Sequence, residues 1–395
     1  MLLGASLRSV YPSDPGSDAV SGHALPNRVA AAAEAEAAAA DAAAAADAAA
    51  AAAADAAAAA AAEAQAEDTG ALRTLRQAET LHAGVAADEP ADEASDGFRP
   101  RRQAERLIAL ARAVGAARLD LLLVGDRHAA PLNAFAPVPL IARLMAEVGD
   151  VPLGCVFLAP FHHPVVLAEQ LGTLAAFSEQ PFTAAFAIGD TEAQFAAFGM
   201  ALKSRTVRTD EVVEVVRRLL DGEEVSFDGR YHRLDKVRIG PLPESPVRLW
   251  VGGRRGAAVE RAGRLGDAWV SDTRMPDAEL LIELHRYRRT AIEHGRPVFA
   301  VLRRNVVLGE TDDEARSAMA RVVTVSSRGL VPENTLVGSP ATVVERLLAY
   351  EREGFAMTIV RPVGVDHSRI LATIALLGEA VLPALRSAGG TSPDK

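Results

Sequence analysis

Cysteine is almost missing from this chain: Cys155 is the only one in 395 residues. That excludes an intrachain disulfide and a cysteine-based metal cluster, and it suits a reducing compartment. The start, Met1-Leu2-Leu3-Gly4, lacks the basic stretch of an export signal. The long alanine tract is not a membrane span, because Glu34, Glu36, Asp41, Asp47, Asp55 and Glu63 interrupt it. Each acidic residue costs about 2.5–3.5 kcal/mol at a bilayer centre. The expected location is cytoplasmic, with no membrane partner. A surplus of basic charge is also lacking. The formal net charge is −10, and residues 27–97 carry 14 acidic residues against three arginines, so the remainder is close to neutral. Neither nucleic acid nor an anionic surface is an expected partner.

What the chain does have is core: 49% of its residues are hydrophobic, ample for one large α/β domain or two ordinary ones. Residues 27–97 form an alanine-rich, acidic, low-complexity insert. Alanine favours a helix over 29–66, but no larger apolar stripe is available to bury it, and 86–97 reads as a disordered acidic stretch. Before the insert, residues 1–10 read as a strand followed by a turn-rich segment. This divides the chain into a first strand and turn over 1–26, the insert over 27–97, and a main domain over 98–390.

From Arg101 onward, strand and helix patterns alternate. Strands are expected over 119–125, 151–158, 182–188, 246–251, 268–271, 299–307 and 358–361. Helices are expected over 101–114, 139–147, 164–177, 209–220, 256–265, 277–293 and 340–353. Ser339-Pro340 is a good N-cap and N1 pair for the last of these, and Gly354 ends it. With residues 1–10 the strands number eight, which favours a TIM (β/α)8 barrel over an open sheet. A hairpin around Asp228-Gly229 interrupts the alternation, and 321–336 reads as irregular.

Chemistry concentrates where strands end. Leu121-Leu122-Leu123-Val124 is a strand buried on both faces, and it runs into Gly125-Asp126-Arg127-His128. His128 at such an end is a proton donor or acceptor, with Asp126 or Arg127 adjusting it, or else a solvated loop histidine. Pro246–Val251 is followed by Gly252-Gly253-Arg254-Arg255-Gly256 and then a helix. Helix-start N–H groups, glycines and two guanidiniums suit a phosphate, and a plain strand-to-helix turn is the alternative. His162-His163 is adjacent in sequence and its side chains diverge. With no third ligand at suitable spacing and Pro164 explaining the motif as a helix start, no metal centre is expected. Cys155 reads as a small buried hydrophobe and Trp269 as core.

These pieces together resemble the luciferase-like flavin-dependent monooxygenases and their deazaflavin (F420) dependent relatives. The matching segments are VGDRH at 124–128, VPLGCVFLAPFHHPVVLAEQLGTLAAFS at 151–178, EAQFAAFG at 192–199, the helix with Arg208 and Glu211, FDGRYH at 227–232, PVRLWVGG at 246–253 and RAGRLGDAWV at 261–270. GSPATVVERLLAYEREGF at 338–355 extends the likeness. The resemblance implies a TIM barrel that binds reduced FMN or F420 at its carboxyl face, with family-type insertions and the alanine-rich insert in the first strand-to-helix loop. It assigns catalysis to His128 and Asp126. It assigns cofactor binding to Gly154, Cys155, Gly252, Gly253, Arg254, Arg255 and Gly256, with Gly154 and Cys155 on the strand beside the flavin ring. Where the family has Ser-x-Gly-Arg-Phe, this chain has Ser178-Glu179-Gln180-Pro181-Phe182, and Ile188 stands where luciferases place an arginine. The leading expectation is a monooxygenase that uses reduced FMN and O2 on a small organic substrate, with a flavin reductase as partner and a homodimeric state. F420-dependent hydride transfer is the alternative. A non-catalytic flavin-binding or scaffold protein is the reading of a different class.

Overall fold

A computed structural model describes residues 1–7, 10–11, 100–129, 133–325 and 330–389. The expectations for the insert over 27–97 lie outside the described residues. Eight parallel strands close on themselves: β1 (Leu2–Leu7), β2 (Leu121–Val124), β3 (Leu153–Leu158), β4 (Thr183–Ala187), β5 (Arg248–Gly252), β6 (Ala268–Val270), β7 (Ala300–Leu308) and β8 (Met357–Pro362). Each pairs with the next, and β8 pairs with β1 through Gly4 and Ile359 to complete the TIM barrel. Helices Pro100–Ala116, Pro137–Met145, Pro164–Ala176, Arg205–Leu220, Ala257–Leu265, Asp277–Glu293, Pro340–Glu353 and His367–Leu376 follow the strands in turn.

The alternation of side chains along each strand divides the core in two. Inside the barrel, Leu121, Leu123, Ala185, Trp250, Val301, Met357 and Ile359 pack as an apolar plug. Outside it, Leu122, Val124, Cys155, Phe157, Phe186, Val251 and Trp269 pack against the helices. Full burial of one such large aliphatic side chain contributes about 1.5–3 kcal/mol, and these two layers are the main driving force for the fold. His367–Ala388 is apolar and long enough to cross a membrane by length and composition. In this fold its Ile374, Leu377, Val381, Leu382 and Leu385 are buried in the outer layer.

The structure differs from expectation in three places. The 321–336 stretch is not irregular throughout: helix Asp312–Val325 covers its start, and Thr335–Gly338 is a ninth strand paired outside the barrel with the far end of β7. Ala315, Ala318, Met319 and Val322 supply the buried stripe of that helix at helical spacing. The second helix begins at Pro137, whose ring suits an N1 position, rather than at Pro139. In the hairpin, Asp228 pairs with Arg233, so the loop is Gly229–His232 rather than a two-residue turn. The Glu211 carboxylate dictates that loop: it accepts the N–H groups of Arg230 (2.6 Å), Tyr231 (3.1 Å) and His232 (3.0 Å), and His232 Nδ1 lies 2.9 Å from it.

Gly154, near the amino end of β3, has no room for a side chain. A Cβ there would meet the Thr183 carbonyl and come within 2.6 Å of Leu123 Cδ2. Gly154→Ala is expected to lower stability by about 1–3 kcal/mol, read as an earlier midpoint in urea unfolding.

Candidate active site

β2 and β3 are neighbours with Val124 opposite Cys155. This register carries the loop after β2 up against the end of β3. Asp126 points inward there with its side chain fully buried. Its Oδ2 accepts the Leu158 N–H at 2.9 Å and stands 2.8 Å from His162 Nε2. His128 Nε2 lies 2.9 Å from Oδ1 and 3.1 Å from Oδ2, with hydrogen-bonding geometry to Oδ2 alone. Oδ1 is buried without a hydrogen-bond partner. Burial works to raise the Asp126 pKa, but the hydrogen bonds and charges of His128 and His162 outweigh it and hold the carboxyl well below its ordinary range. An ionised carboxylate thus fixes two imidazoles by their Nε2 atoms.

The surroundings are aromatic. The His128 ring meets Phe161, Phe198 and His162 edge-on at centroid distances of 5.6, 5.5 and 5.3 Å. Phe161 in turn stacks near Phe195 and Phe198, each at 4.7 Å. Buried Gln194, on helix Glu192–Ala197, donates from Nε2 to the His128 carbonyl at 2.7 Å and so fixes the loop. The His128 side chain keeps 23% of its surface exposed and His162 15%, which leaves both reachable from the barrel mouth. The donor atoms of Asp126, His128 and His162 all lie within 4.8 Å of one another. The third ligand missing from the sequence spacing is therefore supplied by strand adjacency, and it is His162 that joins, while His163 turns to His232 (5.9 Å).

Gly252 ends β5 on the same face, and the glycine-rich loop follows. Trp269, buried in the outer layer, donates Nε1–H to the Gly253 carbonyl at 2.9 Å, so a core side chain anchors the loop. Gly256, at φ +50°, opens helix Ala257–Leu265. Part of the expected anion site is committed within the chain: the Gly256 N–H donates to Glu283 at 3.1 Å, and Arg255 pairs with Glu279. Arg254 is exposed, and among the described residues its guanidinium has no ion-pair partner.

Gly154 and Cys155 do not join this face. Gly154 packs inside the barrel, and Cys155 points into the outer layer with its thiol 3.9 Å from the Pro137 carbonyl. Burial, then the nearby Asp126 charge, pushes the thiol well above its ordinary pKa. The Ser178–Pro181 departure lies before the amino end of β4, at the opposite end of the strand from the site, whereas Ile188 follows its carboxyl end. Sequence reasoning passed over the polar groups on the far wall. Asn305 accepts from Arg361 Nε at 2.8 Å, and Arg274 grips Asp272 from Nε (3.0 Å) and Nη2 (2.8 Å). The visible signal was Arg303, Asn305 and Arg361 standing at inward positions of otherwise apolar strands.

The family model for luciferase-like monooxygenases matches residues 92–328, more than half of the chain. The chain belongs to that family. Members are oxidoreductases, and so is this luciferase-like protein. An F420-dependent glucose-6-phosphate dehydrogenase of Nakamurella multipartita is 27% identical over 296 residues, covering 65% of this chain and 84% of that protein. Among solved structures, monooxygenase RslO1 from Streptomyces bottropensis superposes with a TM-score of 0.66 at 22% identity, covering 72% and 94% of the two chains. The coenzyme F420 dependent tetrahydromethanopterin reductase from Methanopyrus kandleri gives 0.59 at 14% identity, covering 73% and 97%.

If Cys155 is packing rather than part of the mouth, a thiol reagent at pH 8 should label the folded protein at least about 100-fold more slowly than the urea-unfolded chain. Comparable rates in the two states would place the thiol at the accessible face.

Proposed function

We propose that this luciferase-like protein is an F420-dependent oxidoreductase that moves a hydride between the cofactor and a hydroxyl- or carbonyl-bearing carbon of a small organic molecule. The observation that carries this reading is the pair of imidazoles held by their Nε2 atoms on one buried carboxylate at the barrel mouth. Bound deazaflavin supplies the two-electron hydride acceptor or donor. The residues present suit such a group: a half-buried aromatic wall for a planar ring, and Arg254 beside Gly252-Gly253 for an anionic tail.

The chain's own contribution is proton handling and orientation. Because Nε2 of His128 is tied to Asp126, Nδ1 is the atom left to take the hydroxyl proton during oxidation and return it during reduction. The positive charge that develops on the ring is stabilised by the ionised Asp126. His162 shares that carboxylate and keeps it from rotating. Phe161 and Phe198 flank the His128 ring over the fully buried Phe195 and give the ring an apolar wall.

The F420 reading is supported over the FMN reading by F420-dependent dehydrogenases matched in sequence along 84% and 96% of their length, whereas the solved monooxygenase RslO1, at 22% identity, shares the fold. A cytoplasmic homodimer belongs to either reading, and a flavin reductase partner belongs to the second.

The test is an anaerobic titration of the full chain with F420, FMN and reduced FMN, followed by turnover on a panel of alcohols and carbonyl compounds. Saturable F420 binding with oxygen-independent turnover is expected. His128→Ala should then lower kcat by about 10²- to 10⁴-fold with F420 affinity kept within a few-fold. Binding of reduced FMN alone, with substrate oxidised only once oxygen is admitted, would replace this reading with the monooxygenase. Binding of no cofactor would leave the scaffold reading.

A further inference from the structure

We propose that Asp126, His128 and His162 also form a three-donor site for a divalent transition-metal ion, and that zinc bound there switches the proton path off. Two imidazole nitrogens and one carboxylate are a donor set that zinc accepts readily. The three donor atoms lie within 4.8 Å of one another, and the two N···O distances of 2.8 and 3.1 Å would widen to about 3.4 Å around a tetrahedral ion bound at about 2.1 Å, a shift of a few tenths of an ångström for each ring. The carboxylate is already oriented by the Leu158 N–H, and the His128 loop by Gln194, which is the outer support that metal ligands need. Asp126 Oδ1 is buried and, although His128 Nε2 lies 2.9 Å away, accepts no well-aligned hydrogen bond among the described residues. The partial exposure of both rings leaves a path from the mouth and an open position for water.

The second carboxylate–histidine pair in the fold makes the contrast. Glu211 also holds a histidine, His232, but three backbone N–H groups occupy its oxygens, and both side chains are buried beneath the hairpin loop. That pair closes a loop, whereas the Asp126 cluster faces the mouth with an acceptor to spare.

The consequence for the reaction follows from the imidazole tautomer and rests on the function proposed above; the binding itself does not. A metal takes the Nε2 lone pairs, so each ring must carry its proton on Nδ1. Nδ1 of His128 is then already protonated and has no capacity to accept the substrate proton.

The full chain and its variants would be titrated with zinc chloride by calorimetry and with cobalt chloride by visible absorption. One ion per chain is expected to bind in wild type and in His163→Ala. Affinity should fall by at least about 100-fold in His162→Ala, beyond what the loss of an outer support causes. Asp126→Asn and His128→Ala should fall likewise, and the two histidine variants carry the test if the aspartate variant does not fold. Absence of saturable binding, or binding undiminished in His162→Ala and His128→Ala, would overturn the site. Binding that depends on these residues while zinc leaves turnover unchanged would overturn the switch and implicate the proton path rather than the metal site.

Discussion

The buried carboxylate of Asp126 is the constraint on which the rest of the site depends. A carboxylate with its side chain out of solvent survives only if hydrogen bonds and opposite charge replace water. Here the Leu158 N–H and two imidazoles do so. Those partners come from three places: Leu158 at the end of β3, His128 in the loop after β2, and His162 two residues before helix Pro164–Ala176. The lateral pairing of β2 with β3 brings them together. The Asp126 cluster is therefore a product of strand order, and any change that shifts β2 against β3 disturbs chemistry and stability together.

The carboxyl face is built in the same manner elsewhere, with core groups reaching outward to fix loops. Trp269 belongs to the outer layer, yet its N–H anchors the Gly253 carbonyl. Glu283 on helix Asp277–Glu293 caps the start of helix Ala257–Leu265 through the Gly256 N–H. This second contact narrows what the glycine-rich loop can offer an anion, because a carboxylate already occupies part of the helix terminus. Arg254 is the loop group that stays available, so recognition of an anionic tail falls on it and on neighbouring backbone.

Much of the fold was legible because each barrel strand is short, apolar and bounded by turn residues, and the helices between carry apolar residues at helical spacing. His128 and the Gly252–Gly256 loop were legible because they follow strands directly. What was hidden depends on three dimensions. His162 looked like half of an isolated histidine pair, since only the lateral pairing of β2 with β3 brings it to Asp126. Cys155 was assigned to the cofactor face by motif, but one step of side-chain alternation turns it to the helix layer. The hairpin loop was drawn as a two-residue turn because nothing local reveals that Glu211, 18 residues before Gly229, would gather three of its N–H groups. Helix Asp312–Val325 was harder to read because its buried stripe is made largely of small residues, Ala315 and Ala318, with Met319 and Val322.

The central claim is that one ionised carboxylate sets the orientation of two imidazoles and leaves His128 Nδ1 as the proton acceptor. Nitrogen-15 NMR of histidine side chains at neutral pH, in wild type and Asp126→Asn, tests it most directly, with His128→Ala and His162→Ala assigning the signals. The account predicts that neutral His128 and His162 both carry the proton on Nε2 in wild type, and that at least one loses this single-tautomer state when the carboxylate is removed. A wild-type His128 with its proton on Nδ1, or tautomers unchanged in Asp126→Asn, would contradict it.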